Sequence, residues 1–315
     1  MPELNCLVSP AELAYLGKLL GQTATAISPL TGPAVGAVDN SRLAKSGLLS
    51  GDALTPAGRD AVGVLSRATA YAGLVLAGGG TYEHVVYFDG TSRVALTAEG
   101  SDFRLQSPAP DAALLTESAF GDVGTNALDF DDVLTVPEAA VALGLVDLER
   151  RRELQGILDD EDAASGAFRV ADLEAWLSRH PANSQWLAPV LRDTLGAGID
   201  ATAIKEALAS LEARGALVRA GDMISLGDTL VALASRLLVV GMLARIRAGR
   251  IEGDEVTTAD MHIVQSQSMH HLIWEADAAG QVHVQCPSSS VLSAMAQGLL
   301  TDPTALAGAE AAAAR

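Results

Sequence analysis

The sequence predicts an α+β protein of two pseudo-symmetric lobes, each with a winged-helix-like helix–hairpin–helix unit followed by antiparallel strands. Three observations indicate this fold. A helix, two short strands joined by a tight turn and a second helix occur once in each half of the chain. Segments that alternate apolar and polar residues, as half-buried strands do, follow each of these units. Short sequence matches recur in the same order in both halves, which indicates an internal repeat.

The clearest helix–hairpin pattern lies at residues 201–225. Its apolar residues recur at the spacing that places side chains on one helix face, and they are Ile204, Leu208 and Leu211. Asp200 stands where an N-cap side chain accepts the free backbone N–H groups of the first turn. Gly221 lies between two short apolar segments, where a tight turn favours glycine. A weaker copy of this pattern occupies residues 43–70, where Thr55-Pro56 marks the start of a helix.

Two further helix starts are predicted from capping boxes. One is Ser9 with Glu12, and the other is Thr135 with Glu138.

The most apolar stretch is residues 226–246, and we predict one long helix there. It contains Asp228, Arg236 and Arg245, and a charge near the centre of a bilayer costs about 3 kcal/mol or more. A buried core helix is therefore favoured over a membrane span. A loop is predicted at residues 249–254.

A duplicated unit explains the shared order of elements. The matched strand segments are residues 83–87 with 270–274 and residues 103–108 with 282–287. The first match pairs two aromatic residues, Tyr87 and Trp274. Residues 94–97 have no counterpart, so the second copy is predicted to lack one strand.

Charge divides the chain into segments. Residues 121–165 hold 12 acidic residues and three arginines, a net charge of −9. They lack the DxDxDG spacing of a calcium loop, so a solvated, partly helical connection is favoured. The predicted segments are an N-terminal α+β lobe at 1–120, this acidic connection at 121–165, a C-terminal α+β lobe at 166–305 and a disordered tail at 306–315.

Net charge, cysteine content and the N-terminal sequence limit the partners and the cellular compartment that we expect. The formal net charge is −18, which makes nucleic acid and anionic membrane surfaces poor partners. Cys6 and Cys286 lie far apart and form neither a disulfide framework nor a CxxC pair, which fits a reducing compartment. The N-terminus shows no basic region followed by an apolar run, so we expect a cytoplasmic protein.

No motif predicts a catalytic, cofactor-binding or metal site. The histidines near the C-terminus, His262, His270, His271 and His283, lack the acid or thiolate spacing of a zinc site, so structural or surface roles are favoured. The glycines at 78–80 precede a strand and lack the lysine of a phosphate-binding loop, which favours a turn. The serines at 288–290 have no base to activate a nucleophile and match a helix cap.

The first lobe resembles the EspG family of type VII (ESX) secretion chaperones over about residues 10–120. The segments that carry the resemblance are 11–17 (AELAYLG), 47–55 (GLLSGDALT), the helix residues 64–67 (VLSR) and the strands at 85–89 and 103–106. The resemblance implies two pseudo-symmetric lobes around antiparallel sheet. It also implies a cytosolic, non-enzymatic chaperone that holds the aggregation-prone tip of a helical secretion substrate. The second lobe departs from the family, because it lacks the typical Asp-Thr and Gly-Arg-Tyr ending.

We therefore expect a non-enzymatic chaperone or adaptor that binds a protein partner, with a helical secretion substrate as the finer hypothesis. The partner would dock on the sheet faces and the adjacent loops. Tyr87 and Trp274 are the candidate partner-binding residues, because aromatic side chains often anchor interfaces. The alternative for both is a role in the core.

Two other functions stay open. A winged-helix transcriptional regulator or chromosome-associated scaffold would need a basic face, assembled from Arg214, Arg219, Arg236, Arg245, Arg247 and Arg250. Residues 200–214 hold three acids and two bases, whereas DNA binding needs several cations against phosphates. An enzyme would need a deep pocket with convergent polar groups that no motif shows.

Overall fold

The structure is a computed structural model that describes residues 3–32, 36–121, 127–160, 166–178, 185–196, 198–277 and 279–303. Contacts divide the chain into two compact units. The first comprises Met1–Gly121, Arg245–Asp260 and Ser293–Arg315, and the second comprises Asp122–Ala244 and Met261–Leu292. The α+β class is confirmed, with antiparallel strand pairs in both units. The domain boundaries drawn from charge stay predictions, and the proposed tail at 306–315 lies outside the described residues.

The first unit starts with a strand and a helix and continues with a helix–hairpin–helix segment, four strands and a helix. Its elements are β1 (Leu4–Val8), α1 (Pro10–Leu20), α2 (Asn40–Lys45), β2 (Leu49–Ser50), β3 (Ala53–Leu54), α3 (Pro56–Arg67), β4 (Ala70–Ala77), β5 (Thr81–Asp89), β6 (Ser92–Glu99), β7 (Asp102–Ser107) and α4 (Ala112–Phe120). The strands follow the order β1-β7-β6-β5-β4.

Both helices that pack on this sheet have the caps that the sequence predicts. The Ser9 hydroxyl accepts the Glu12 N–H at 3.2 Å, and the Glu12 carboxylate accepts the Ser9 N–H at 2.8 Å. Thr55 caps α3 by accepting the Gly58 N–H at 2.9 Å. A Cβ on Gly58 would lie 2.4 Å from the Leu48 carbonyl oxygen, so only glycine lets α3 approach the hairpin so closely. Side chains of α1 and α3 then form one core with β1, β6 and β7.

The second unit repeats this order with additional helices. The remaining elements are β8 (Asp131–Thr135), α5 (Val136–Asp159), β9 (Phe168–Arg169), α6 (Val170–Ser178), α7 (Leu187–Leu195), α8 (Ala201–Ala213), β10 (Leu217–Ala220), β11 (Met223–Leu226), α9 (Asp228–Arg236), β12 (Val240–Glu252), β13 (Glu255–Ser266), β14 (His271–Ala276), β15 (Gln281–Gln285) and α10 (Ser289–Thr301). The strands of this second repeat follow the order β12-β13-β14-β15-β8, and the part of β12 and β13 within Arg245–Asp260 belongs to the first unit.

Helix α5 is the centre of the second unit. It starts at a capping box of Thr135 and Glu138, as the sequence predicts, and residues 138–150 are all buried. It packs against α6, α7, α8 and α9. Although α5 belongs to the most acidic part of the chain, its first half is mostly alanine, leucine and valine. Those residues supply the apolar surface on which the other helices rest.

The helix–hairpin–helix segment of this unit also follows the sequence prediction. Asp200 caps α8 by accepting the Ala203 N–H at 2.8 Å. Gly221 turns the hairpin with φ at 66°, a left-handed conformation that glycine adopts without strain. Strand β9 adds a third strand to β10 and β11, because Phe168 pairs with Ile224.

The long helix predicted at residues 226–246 is wrong. Helix α9 ends at Arg236, and strand β12 begins at Val240 and runs through most of the predicted loop at 249–254. Within β12, buried Ile246 alternates with the exposed side chains of Arg245 and Arg247. This period of two is a strand signal, and the overall apolarity of the stretch concealed it.

The predicted loss of one strand from the second copy is therefore also wrong. Strands β12 to β15 match β4 to β7 in number and order. The sequence match of residues 83–87 with 270–274 is out of register. It aligns β5, the second of the four strands in the first copy, with β14, the third of the four strands in the second copy. The match between β7 and β15 is in register, since both are the last strands and pair with β1 and β8 respectively. Among the described residues, no helix has the length and apolarity that a membrane crossing requires.

Candidate functional site

An open groove lies on one sheet face of the first unit. Its volume is about 640 Å³, and its floor comes from β5, β6 and β7. Its apolar lining residues are Pro10, Leu13, Pro29, Val85, Tyr87, Leu96, Ala98 and Phe103, and its polar lining residues are Ser9, Glu83, Ser101 and Asp102. We call it the sheet groove. Apolar side chains therefore dominate its surface, as in sites that bind other molecules.

Strand β5 supplies the middle of the floor through simple alternation. His84, Val86 and Phe88 are buried on one face, whereas Val85 and Tyr87 lie on the other and are half-buried. Strands β4 and β6 pair with β5 along both of its edges. The backbone of β5 is thus already hydrogen-bonded, and a ligand in the groove would contact side chains.

A second cavity adjoins the groove within the same unit. It measures about 510 Å³, and three residues, Glu83, Val85 and Tyr87, line both cavities. Its other lining residues are Ala26, Ile27, Tyr71, Gly73, Val75, Arg245, Arg247, Val256 and Thr258. We call it the arginine cleft. The groove and the cleft together form one surface that continues across β4 to β7.

Tyr87 lies at the junction of the groove and the cleft. Its ring centroid is 6.4 Å from that of Tyr71. A Cβ on Gly249 would lie 2.4 Å from the Tyr71 ring, so glycine there leaves room for the ring. Burial raises the pKa of both tyrosine hydroxyls, which keeps both rings neutral at pH 7. Tyr87 therefore presents an uncharged aromatic edge between the two cavities.

Acidic groups mark the rim of the sheet groove. Arg42 pairs with the buried Glu12 carboxylate and with Asp102 at 2.8 Å. One arginine thus neutralises only one of two acids. Glu83 forms no ion pair with any residue in the described ranges. The groove consequently carries an excess of about two negative charges.

The cleft has a different balance of charge. Arg245 donates two hydrogen bonds to Asp260, at 2.9 and 2.8 Å, and Arg247 lies 3.7 Å from the same carboxylate. Two guanidinium groups therefore share one acid. The cationic side of the combined surface is the cleft, and the acidic side is the groove.

The two predicted partner-binding residues, Tyr87 and Trp274, lie in different environments. Trp274 is only 1% exposed and belongs to the core of the second unit. Its ring stacks on His262 with centroids 5.7 Å apart, and its Nε1–H donates to the Thr194 hydroxyl in α7 at 3.4 Å. A partner would have to displace α7 to contact it.

A buried polar cluster binds the first residues of α7. The Asp147 carboxylate accepts the Leu187 and Ala188 N–H groups at 2.9 Å each and pairs with Arg150 at 2.8 Å. Burial raises the Asp147 pKa to about 6, against the opposing effects of Arg150 and the two backbone donors. Just before α7, the Gln185 side chain bonds both the N–H and the carbonyl of Val240 at the start of β12.

The remaining polar motifs have structural partners. His283 contacts Asp131 on the neighbouring strand at 2.5 Å, and His270 contacts Ser268 at 3.1 Å. No group of three or more histidine, cysteine, aspartate or glutamate side chains in the described ranges is placed to hold a metal ion. Gly78 and Gly80 form a turn, and the Ser288 hydroxyl accepts the Val291 N–H at the start of α10.

Four of the six arginines of the DNA-binding alternative, Arg214, Arg245, Arg247 and Arg250, lie beside acids. Arg214 lies 3.6 Å from Asp132, Arg245 pairs with Asp260, and Arg250 contacts Glu252. Cations that already neutralise carboxylates release fewer counterions on binding a phosphate backbone. The geometry therefore gives this alternative no support.

Sequence reasoning placed the site on a sheet face but missed most of its residues. The period of two through Glu83, Val85 and Tyr87 was present in the sequence. Nothing in it showed that this face would stay open, because openness depends on which helices cover it. Strand β12 supplies two cleft residues, Arg245 and Arg247. The sequence prediction placed Arg245 inside a long helix and Arg247 just after its end.

The fold is similar to that of a known secretion chaperone. No family model matches the chain, and no curated protein matches it in sequence. Among solved structures, it matches the Mycobacterium tuberculosis type VII secretion system chaperone EspG5, solved in complex with the PE25–PPE41 dimer. The match has a TM-score of 0.53 at 11% identity and covers 94% of this chain and 95% of that chain. The chain therefore has an EspG-like fold over nearly its whole length, which extends the resemblance that the first lobe suggested.

Proposed function

We propose that this protein is a non-enzymatic chaperone or adaptor that binds a protein partner on the sheet groove and the arginine cleft of its first unit. The observation that carries the proposal is the open apolar face of β5, β6 and β7 at the base of the groove. Exposed apolar surface of this kind marks protein interaction sites. The EspG-like fold, which in EspG5 serves a chaperone solved with a protein dimer, supports the same function.

Tyr87 is the anchor residue that we propose for this site. It is half-buried, neutral and shared by both cavities. Aromatic residues at the centre of an interface typically contribute about 2 kcal/mol or more to binding. Trp274 is not carried forward as an anchor, because its surface is almost fully covered by its own unit. A helical secretion substrate in the cytoplasm is the finer form of the proposal.

The test is a tagged capture from the source cell at low and high salt, with mass spectrometry, followed by reconstitution with the purified partner. We expect one protein to be retained at high salt, because apolar contacts resist screening. Tyr87→Asp should weaken the reconstituted complex by about 30-fold or more. Met223→Asp, on the exposed hairpin of the second unit, is the matched control and should leave it unchanged.

Recovery of DNA that is lost at high salt would instead favour the regulator. A partner whose affinity is the same for Tyr87→Asp and the unaltered chain would remove the groove from the proposal.

A further inference from the structure

The C-terminal end of α5 differs from the rest of that helix. Residues 138–150 are all buried, whereas no side chain from residue 151 to residue 159 is fully buried. Leu158, in the last turn, is 78% exposed. A helix in a folded protein is stabilised mainly by the packing of an apolar face. A further contact surface would therefore stabilise this end of α5.

A pocket adjoins the same end of the helix, within the second unit. Its volume is about 360 Å³, and it lies between α5, β9 and α6. Its lining includes four residues of α5 and two aromatic residues, which are Leu148, Arg151, Arg152, Gln155, Phe168 and Trp176. We call it the α5 pocket. Aromatic rings and aliphatic side-chain stems suit it to an apolar side chain of a partner.

Arg151 is the cation at this pocket that lacks an acidic partner in the described ranges. Its guanidinium group lies over the Trp176 ring, 5.7 Å from the ring centroid. Arg152 differs, because it pairs with Glu149 and donates to the Gly166 carbonyl at 3.0 Å. A carboxylate placed beside Arg151 would therefore be favoured.

One face of α5 carries both the pocket and the exposed leucine. Leu148, Arg151, Gln155 and Leu158 recur at spacings of three and four residues, which places them side by side along the helix. Asp159 lies on the same face, four residues after Gln155. Its carboxylate accepts the Gln155 amide at 2.7 Å and pairs with no cation in the part of the chain that the structure describes.

We infer that this face is the interface of a homodimer, in which the ends of two α5 helices pack antiparallel across a twofold axis at Gln155. This axis sets residue 151 of one copy against residue 159 of the other, and residue 152 against residue 158. Arg151 of each copy then pairs with Asp159 of the second copy, so each interface contains the same ion pair twice.

The same register places Leu158 in the α5 pocket of the second copy. With a rise of about 1.5 Å per residue, Leu158 lies about 4.5 Å along the helix from the axis, and the four α5 residues of the pocket are centred about 5 Å from the axis on the other side. A parallel pair would set Arg151 against Arg151 and leave the pocket without Leu158. The face is therefore complementary to itself in the antiparallel orientation.

Charge favours a second copy in this orientation. Residues 121–165 carry a net charge of −9, and their three arginines are consecutive, Arg150–Arg152. Two such acidic segments repel one another except where an arginine of one copy meets an acid of the other. The cation, the acid, the pocket and the leucine all belong to this chain, so a second copy supplies every complementary group. The dimer uses residues of the second unit only and is independent of the proposed function.

Sedimentation velocity of the full chain, from about 1 to about 100 μM, measures the dimer directly. We expect the dimer fraction to rise with concentration. Leu158→Asp should raise the Kd of the dimer by about tenfold or more, since a carboxylate would be buried in the pocket. The control, Ile157→Asp, changes the next residue, which is 66% exposed and lies on the opposite face of the helix, and it should leave the Kd unchanged.

Exchange of the charged pair tests the register. Arg151→Glu and Asp159→Arg should each weaken the dimer by about tenfold, since each variant sets like charges against one another twice. An equimolar mixture of the two variants should restore the dimer, because every mixed pair of chains has opposite charges at both contacts. Circular dichroism confirms that each variant is folded.

Three results would overturn the inference. They are a monomer at every concentration, an equal Kd for Leu158→Asp and the unaltered chain, or a mixture of the two charge variants that stays monomeric. A monomer that instead binds an acidic protein through Arg151 would overturn the second copy as the occupant. Weakening of the dimer by Tyr87→Asp would also contradict it, since Tyr87 belongs to the first unit.

Discussion

The two units share one order of elements and differ in the helices that follow the first capped helix. Each has an edge strand, a capping box, a helix–hairpin–helix segment and four strands in the same order. In the second unit, α5 has 24 residues, and α6 and α7 follow it. In the first, α1 has 11 residues, and the described residues between α1 and α2 include one 3₁₀ turn, Pro29–Thr31. The difference shows that additional helices can be built onto a repeated frame without changing the number and order of its strands.

The largest expected effect on stability comes from comparing two truncations, one in α7 and one in the sheet groove. Leu191→Ala removes a fully buried contact of α7 and should cost about 2–5 kcal/mol of unfolding free energy. Val85→Ala, in the open groove, should cost less than about 1 kcal/mol. All three tryptophans, Trp176, Trp186 and Trp274, belong to the second unit, so their fluorescence follows its unfolding in urea.

Far-UV circular dichroism provides the measurement for Val85→Ala, because the first unit has no tryptophan. Equal losses from the two truncations would break the distinction between the buried α7 contact and the open groove.

A second test uses pH and the buried pair that holds α7. The pKa of Asp147 is raised to about 6, so the folded chain takes up this proton more readily than the unfolded chain does. The stability from this group is therefore greatest at low pH and falls as pH rises from about 4 to about 6, by about 3 kcal/mol in all. Asp147→Asn should remove this dependence.

The measurement is the urea midpoint by tryptophan fluorescence from pH 4.5 to 7 for both chains. The unaltered chain should gain stability relative to Asp147→Asn on acidification. A relative loss would mean that pairing with Arg150 outweighs the cost of burying the carboxylate.

The smallest expected effect tests the frame that the units share. Ser9→Ala and Thr135→Ala each remove an N-cap hydroxyl, and each should cost about 1 kcal/mol. Hydrogen exchange at the first amides of α1 and α5 would report the two losses separately. A loss confined to one helix would indicate that the two capping boxes are not equivalent.

Local signals in the sequence were reliable where short-range chemistry decides the structure. The caps at Ser9, Thr135 and Asp200, and the turn at Gly221, follow from hydrogen bonds or backbone angles within a few residues. The α+β class followed from the same level of evidence. The misassigned strand β12 shows the limit, since high apolarity concealed the alternation around Arg245 and Arg247.

The candidate site depends on contacts that lie far apart in the sequence. Val85 is predictable as a strand residue, but its partial exposure depends on which helices pack over that part of the sheet. Trp274 shows the same limit, because its indole contacts Thr194 of α7, about 80 residues earlier in the chain, and packs in a core built from several helices. An aromatic residue in a strand suits a core and an interface equally well, and only its neighbours distinguish the two.

The place where the two units diverge, between the first helix and the helix–hairpin–helix segment, is also a natural point for engineering. Because α6 and α7 enter and leave the frame there, grafting them after Gly21 would convert the first unit into a closed module. Removing them from the second unit would uncover the part of the core that α7 contacts, including the side of Trp274 that faces Thr194. A single insertion point would then determine whether a copy of this fold serves as scaffold or as receptor, and a duplicated gene could change one copy while the other preserved the architecture.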